Sequence, residues 1–422
     1  MSETLFDRTP PAFTVDPVPS GWSGRLARRA ALSVLDQLDD GEIVVREGAT
    51  RRAHGRCSDR FPVPVEVEIR SPEFYRSIAF GGTVGSGEAF MADQWRCSDL
   101  TLLIRIILGN DRLRARLESG SARFTRPIRQ LLHALRRNGR SGSRRNIAAH
   151  YDLGNDFFSL FLDPTMTYSA GVFAHPSATM EEASVEKYEQ ICKAIDLRSS
   201  DHLLEIGTGW GGFAIHAARS RGCRVTTTTI SRAQHDWARR RIHEEGLEDR
   251  IELLLRDYRD LEGQYDKLVS IEMIEAVGHQ YFETFFRVCD ERLADHGRAA
   301  IQCITIRDEM YAQATKNVDF IKRYIFPGGC LPSLAVIDEI TRASTRLAPS
   351  SSEDITSHYA ETLRRWRTRL HENAEKIRAL GYPETLLRMW EFYFCYCEAG
   401  FEARHIGTHQ LVFEKRTANR GL

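Results

Sequence analysis

Two glutamates, Glu272 and Glu275, close an otherwise apolar stretch, LVSIEMIEAVGHQ, from Leu268 to Gln280. Leu268, Val269, Ile271, Met273 and Ile274 suit a strand buried on both faces of a sheet. A carboxylate at the end of such a strand needs a partner or a chemical task, because an unpaired buried charge is costly. A second stretch, EIGTGWGGFAIHAA (205–218), sets Gly207, Gly209, Gly211 and Gly212 between a strand and a helix. Glycines let a backbone turn sharply and approach a ligand closely. A dinucleotide site would place an acid at the end of the next strand, but that strand ends in TTTTIS. There is no GK[ST], so the turn is not a phosphate-binding P-loop. A plain strand–helix connection is the simpler alternative.

The elements that must position these residues alternate from residue 200 onward. LLEI (203–206), CRVTTTTIS (223–231), IELLLRD (251–257), YDKLVSIEMI (265–274) and GRAAIQCITI (297–306) are strand-like, with helical patterns between most of them. Such a series predicts an α/β fold with a doubly wound, mostly parallel sheet. Residues 335–400 read as mostly helical, and HQLVFEK (409–415) as a final strand. Ahead of this lie a polar, Pro-rich arm (1–20) and a small α+β domain (21–111), in which FGGTVGSGEAF (80–90) reads as Gly-rich turns and TLLIRIILG (101–109) as a helix. Residues 112–145 carry eleven arginines against one acid, Glu118. Ile128, Leu131, Leu132 and Leu135 fall there on one helix face. The catalytic domain is expected over 146–422.

Bulk properties exclude several classes. The formal net charge is zero, so no global charge argument for nucleic acid exists. Nine cysteines without a CxxC pair read as reduced thiols of a cytoplasmic protein, with no metal site. MSETLFDRTPPAF has no basic n-region or apolar core, so no signal peptide is expected. No run of 18 apolar residues suggests a transmembrane helix.

The pattern E-x-G-x-G-x-G-G at Glu205 to Gly212 resembles the S-adenosylmethionine (SAM) turn of class I methyltransferases. Further motifs narrow the resemblance: RRNIAAHYDLGNDFFSLFLDPTMTYSAGVF (144–173), VTTTTISRAQ (225–234), LLRDYRDLEGQYDKLVSIEMIEAVG (254–278), KRYIFPGGCLPS (322–333) and HYAETLRRW (358–366). Together they are similar to the cyclopropane fatty acid synthases, from about residue 60 to the end. FGGTVGSGEAFMADQW resembles the extra N-terminal domain of the longer, phospholipid-acting members. The resemblance implies a class I methyltransferase fold, with a seven-stranded sheet and a smaller N-terminal α+β domain.

It also implies the chemistry. A methyl group passes from SAM to a cis double bond of a lipid acyl chain, and the skeleton becomes a carbocation. Aromatic faces and fixed negative charge stabilise such a cation, and a base then removes a proton. Loss from the new methyl closes a cyclopropane; loss after a hydride shift leaves a methylene branch. In the family the base is a bicarbonate ion held by a glutamate, a cysteine, a histidine and a tyrosine. Carried over, these fall at Glu275, Ala170, Gln302 and Tyr359, with Ile304 and His150 completing the expected set. Alanine and glutamine depart from the family pattern, so an ion site with altered ligands is expected. Glu272 reads as an ordinary exposed strand-end charge. The cofactor contacts implied are Tyr168, Ser169, Gly207, Gly209, Gly211, Thr229, Gln234, Asp257 and Tyr258.

The expected partner is phospholipid acyl chains at the membrane surface, with the arginine-rich 112–145 segment binding anionic headgroups. No nucleic-acid partner is expected, and analogy suggests a homodimer. The protein is expected in the cytoplasm, peripherally bound to the inner face of the membrane. A small-molecule C- or N-methyltransferase of secondary metabolism is the alternative.

Overall fold

The alternating pattern after residue 200 becomes one seven-stranded sheet. The protein is seen here as a computed structural model describing residues 22–114 and 153–417. Strands β5 (His202–Ile206), β6 (Arg224–Thr229), β7 (Ile251–Leu255), β8 (Tyr265–Ile271), β9 (Leu293–Ile306), β10 (Leu347–Asp354) and β11 (Ile406–Lys415) take the order β10-β11-β9-β8-β5-β6-β7. β7, β6, β5, β8 and β9 pair in parallel, and β11 pairs antiparallel with both β9 and β10. β10 therefore runs with the parallel set, and β11 alone is reversed. The crossovers cover both faces with helices, so β5 and β8 read as apolar runs (Leu203, Leu204, Leu268 and Val269 are fully buried).

β6 is polar in sequence yet buried, because its hydroxyls find acceptors. Thr227 Oγ1 donates to Glu205, Thr226 Oγ1 to Glu252, Thr228 Oγ1 to the Arg256 carbonyl and Thr229 Oγ1 to Gln234. β10 lies within the stretch read as helical. It is an edge strand with one buried residue, Leu347, so no alternating apolar pattern marked it.

This sheet belongs to a unit holding the described residues from 153 to 316, Phe326–Arg369 and those from Arg404 onward. A second unit holds the described residues up to 114 with Asn317–Ile325 and Leu370–Ala403. The C-terminal part expected over 146–422 thus contributes two segments to the N-terminal unit. There a small mixed sheet, β2-β1-β3-β4 (Thr50–Arg56, Gly41–Glu47, Val65–Ile69, Trp95–Cys97), accompanies helices α1 (Trp22–Leu35), α2 (Glu73–Met91) and α3 (Leu100–Gly109). Residues 80–90, read as turns, lie inside α2, which is kinked at Gly82. Close packing explains its glycines: a Cβ at Gly87 would stand 2.4 Å from the Phe320 ring and 3.1 Å from Phe392. The aromatic run 389–401 forms the buried face of the Glu384–Glu402 helix in this same unit, with the Phe392 ring tilted against Phe320 and Phe90. The expected arm (1–20) and nearly all of the arginine-rich segment lie outside the described residues, as does His150.

Candidate active site

The glycine turn leaves the carboxyl end of β5, the edge where open α/β sheets bind ligands. Gly207 has φ +104, a value that side-chain-bearing residues rarely reach. Gly209 has φ +52, and a Cβ there would meet nothing within 4 Å. The turn thus faces open space with bare backbone. Gly211 is the left-handed N-cap of the following helix, Gly212–Arg221. Asn155 Oδ1 accepts from Trp210 Nε1 at 2.7 Å and pins the turn from the Asn155–Ser159 helix. Past β6, Thr229 Oγ1 donates to Gln234 Oε1 at 3.1 Å, which leaves the Gln234 amide hydrogens to donate to a ribose hydroxyl. After β7, Asp257 is buried, and Arg259 engages both its oxygens at 2.6 and 2.8 Å. An adenine amino group would meet a paired carboxylate here. Next to it, the Tyr258 ring is part of the apolar core beside Phe285. The open turn, the Thr229–Gln234 pair and the acid after β7 fit the SAM that the sequence implies.

The carboxylates correct the sequence reading. Glu272 is not an exposed strand-end charge. β8 ends at Ile271, and Glu272 takes φ +49, a left-handed conformation rare for a side-chain-bearing residue. Its N–H donates to the Gln302 carbonyl at 2.8 Å. The turn aims its side chain at the residues expected to hold an ion. Oε1 accepts from the Ala170 N–H at 2.9 Å and from Gln302 Nε2 at 2.8 Å, and Oε2 accepts from the Tyr359 hydroxyl at 2.7 Å. Glu275 instead accepts through Oε1 from the Ile304 N–H, and its buried Oε2 has no partner among the described residues. A bicarbonate ion does not fit this arrangement, because the donors that would hold it already close on Glu272.

Burial raises the Glu272 carboxyl above its usual range, against the opposing effects of the Tyr359 hydroxyl, the Lys187 charge, the Ala170 N–H and the Gln302 amide. Burial, and then the Glu272 charge, push Glu275 up to about 8. Two carboxyl groups with unequal donors thus divide the roles: Glu272, with three donors, is the one held as an anion, and Glu275 carries the proton at neutral pH.

Sequence reasoning missed Gln410. Its Nε2 donates to Gln302 Oε1 at 3.1 Å, which turns the Gln302 amide so that Nε2 faces Glu272. Gln410 opposes Gln302 across the β9–β11 pair, a register that only the folded sheet shows. Gln410→Leu should lower kcat about tenfold, within the range for loss of such an outer partner, with little change in KM for SAM. Steady-state rates against SAM concentration check this.

Aromatic rings wall the same region. Tyr168 lies 5.2 Å from Trp366, 5.6 Å from Phe158 and 6.4 Å from Phe326, and Trp366 meets Tyr359 edge-on at 6.3 Å. Their faces offer electron-rich surface to a cation and exclude water. Ser169, next along the chain, is buried with its Oγ accepting from Lys187 Nζ at 2.6 Å. The structure therefore brings together Ala170, Gln302, Tyr359, Glu275 and Ile304 around Glu272.

Comparisons with known proteins bear on the family. Residues 139–411 match the family described as mycolic acid cyclopropane synthetase. The chain is 39% identical to the tuberculostearic acid methyltransferase UfaA1 of Mycobacterium tuberculosis over 92% of this chain and 90% of that protein. It is 33% identical to the cyclopropane-fatty-acyl-phospholipid synthase of Escherichia coli over 84% and 89%. The crystal structure of the mycolic acid cyclopropane synthase CmaA1 with SAH and CTAB superposes with a TM-score of 0.61 at 29% identity, covering 64% of this chain and 98% of that one.

Proposed function

This chain belongs to the mycolic acid cyclopropane synthetase family of SAM-dependent methyltransferases, and from that premise we propose that it adds a one-carbon unit to the cis double bond of an unsaturated phospholipid acyl chain, with Glu272 as the base. The product is a cyclopropane or a methylene-branched chain of the 10-methylene stearoyl type. The observation that carries the reading is the convergence of the Ala170 N–H, Gln302 Nε2 and the Tyr359 hydroxyl on one carboxylate.

SAM, when bound, supplies an electrophilic methyl group to the alkene. The alkene carbon that takes up the methyl leaves its neighbour electron-deficient, and the rings of Tyr168, Trp366 and Tyr359 face that charge without offering water. The Glu272 carboxylate lies in the same wall and stabilises the cation as a fixed negative charge. It then accepts a proton from the new methyl, directly to close a cyclopropane or after a hydride shift to leave a methylene branch. Gln302 and Tyr359 fix the carboxylate's orientation, which lets it act without reorganising. Glu275, protonated at neutral pH, adds no second negative charge. UfaA1 is named for tuberculostearic acid and the E. coli enzyme for a cyclopropane-fatty-acyl-phospholipid, which supports a lipid substrate over a small soluble one. No described helix is long and apolar enough to cross a membrane. The eleven arginines of 112–145 are the proposed contact with anionic headgroups at the cytoplasmic face.

Incubation with SAM and vesicles of oleoyl-phosphatidylglycerol tests this. The esterified chains should gain one CH2 by mass spectrometry, and NMR separates cyclopropane from methylene protons. Removing bicarbonate from the buffer should leave the rate unchanged. No gain on any unsaturated lipid, or methylation of soluble amines instead, overturns the proposal.

A further inference from the structure

The Met180–Ala194 helix turns one face inward: Met180, Ala183, Ser184, Lys187, Tyr188, Ile191 and Cys192 are all buried. Lys187 sits in the middle of that stripe at 0% exposure, where the spacing calls for an apolar residue. Burying an ammonium costs several kcal/mol unless charge and hydrogen bonds offset it. Yet no described carboxylate forms an ion pair with it. Its hydrogen bond goes to Ser169 Oγ at 2.6 Å, and its Nζ lies 4.8 Å from the Tyr188 ring centre.

Three carboxylates act on Lys187 through space: Glu272 most strongly, then Asp163 and Glu205. Two of them have other arrangements. Asp163 accepts from the Thr165 N–H and hydroxyl, the Thr167 N–H and the Ser184 hydroxyl. Arg241, a half-buried cation nearby, donates to the Thr165 carbonyl. Glu205 accepts from Thr227 Oγ1, and burial holds it up near 8. Glu272 alone must be an anion for the chemistry while Glu275 stands beside it.

We propose that Lys187 is a positioning residue of the active site: its ammonium occupies a lone pair of Ser169, so that the Ser169 hydroxyl points outward as a donor to the cofactor, and its charge offsets Glu272 across the Ser169–Ala170 peptide. The path is short. Nζ meets Ser169 Oγ, and the next residue, Ala170, donates its N–H to Glu272 Oε1 at 2.9 Å. Burial draws Lys187 down to about 8 and the three carboxylates oppose this, so it remains a cation at neutral pH. The helix that carries it is anchored by a capping box of Thr179 and Glu182, which fixes its register against the 168–170 segment.

The inference rests on Glu272 being the base, and the test separates the two. The infrared carbonyl band of the protonated Glu272 carboxyl, assigned by its loss in Glu272→Gln, is followed against pH in the purified full chain. In Lys187→Met the band should persist to a pH about one unit higher, a tenfold change in the ionisation constant. The acid limb of kcat should move with it, and S-adenosylhomocysteine affinity measured by calorimetry should fall. Lys187→Gln keeps a donor for Ser169 without the charge, so it should move the band equally and retain that affinity. Ser169→Ala should weaken S-adenosylhomocysteine binding without moving the band. A band that titrates in Lys187→Met and Lys187→Gln as in the wild type overturns the role of Lys187. A wild type inactive on lipid vesicles overturns the proposed reaction instead, and the band still decides Lys187.

Discussion

Glu272→Gln is expected to lower kcat by about 10²–10⁴-fold, the range for a positioned general base, while S-adenosylhomocysteine binding persists. Glutamine is nearly isosteric and can still accept through its carbonyl oxygen. It has no lone pair of sufficient basicity for a proton, and its NH2 would confront one of the present donors, Gln302 Nε2 with the Ala170 N–H, or the Tyr359 hydroxyl. It also deletes the fixed negative charge that faces the cation. Initial rates on oleoyl-phospholipid vesicles, with calorimetry of S-adenosylhomocysteine, check this. Near-wild-type turnover would remove Glu272 from the mechanism. Because burial raises the Glu272 carboxyl, the wild-type rate should decline on the acid side at a higher pH than an ordinary carboxylate would give.

The second large effect concerns stability. Burial and the Glu272 charge push Glu275 up to about 8 in the folded chain, from an ordinary carboxyl value of 4.5. Between those values the native state holds a proton that the unfolded chain has released. Folding stability from this group is therefore intact below the unfolded value and is lost as pH rises through the folded one. Glu275→Gln removes that loss. Its amide oxygen keeps the acceptor for the Ile304 N–H, and its NH2 takes the place of the protonated hydroxyl. The variant should match the wild type near pH 4 and exceed it above pH 8, by on the order of 5 kcal/mol. Thermal unfolding at both pH values measures the difference. An equal difference at the two ends would show that Glu275 does not carry the raised titration.

Much of the fold was legible because its signals are local. The Gly207–Gly211 turn announces itself by residues that tolerate φ values of +52 to +104. The β5, β7 and β8 runs announce buried parallel strands by continuous apolar character. Where the local signal and the packing disagree, the reading failed. Gly85 and Gly87 look like turn residues, yet they serve packing in α2: a Cβ at Gly85 would strike the Ser77 carbonyl, and one at Gly87 the Phe320 and Phe392 rings. LAPSSSED has no alternation to detect, since β10 needs only a partner in β11 to pair with.

The sequence by itself determined the family, the cofactor turn and the residue types around the base: Ala170, Gln302, Tyr359, Ile304 and Glu275. It did not determine which carboxylate they serve. Glu272 and Glu275 are three apart on one strand end, and local propensity treats them alike. The choice is made by a left-handed turn at Glu272 and by donors 102, 30 and 87 residues away in the chain. Hydrogen bonds reach only about 3 Å and require alignment. Whether a carboxylate is a surface charge or a held base is therefore set by where the sheet's register, the segment at Ala170 and the Thr356–Glu372 helix bring those donors, and only the tertiary structure fixes that.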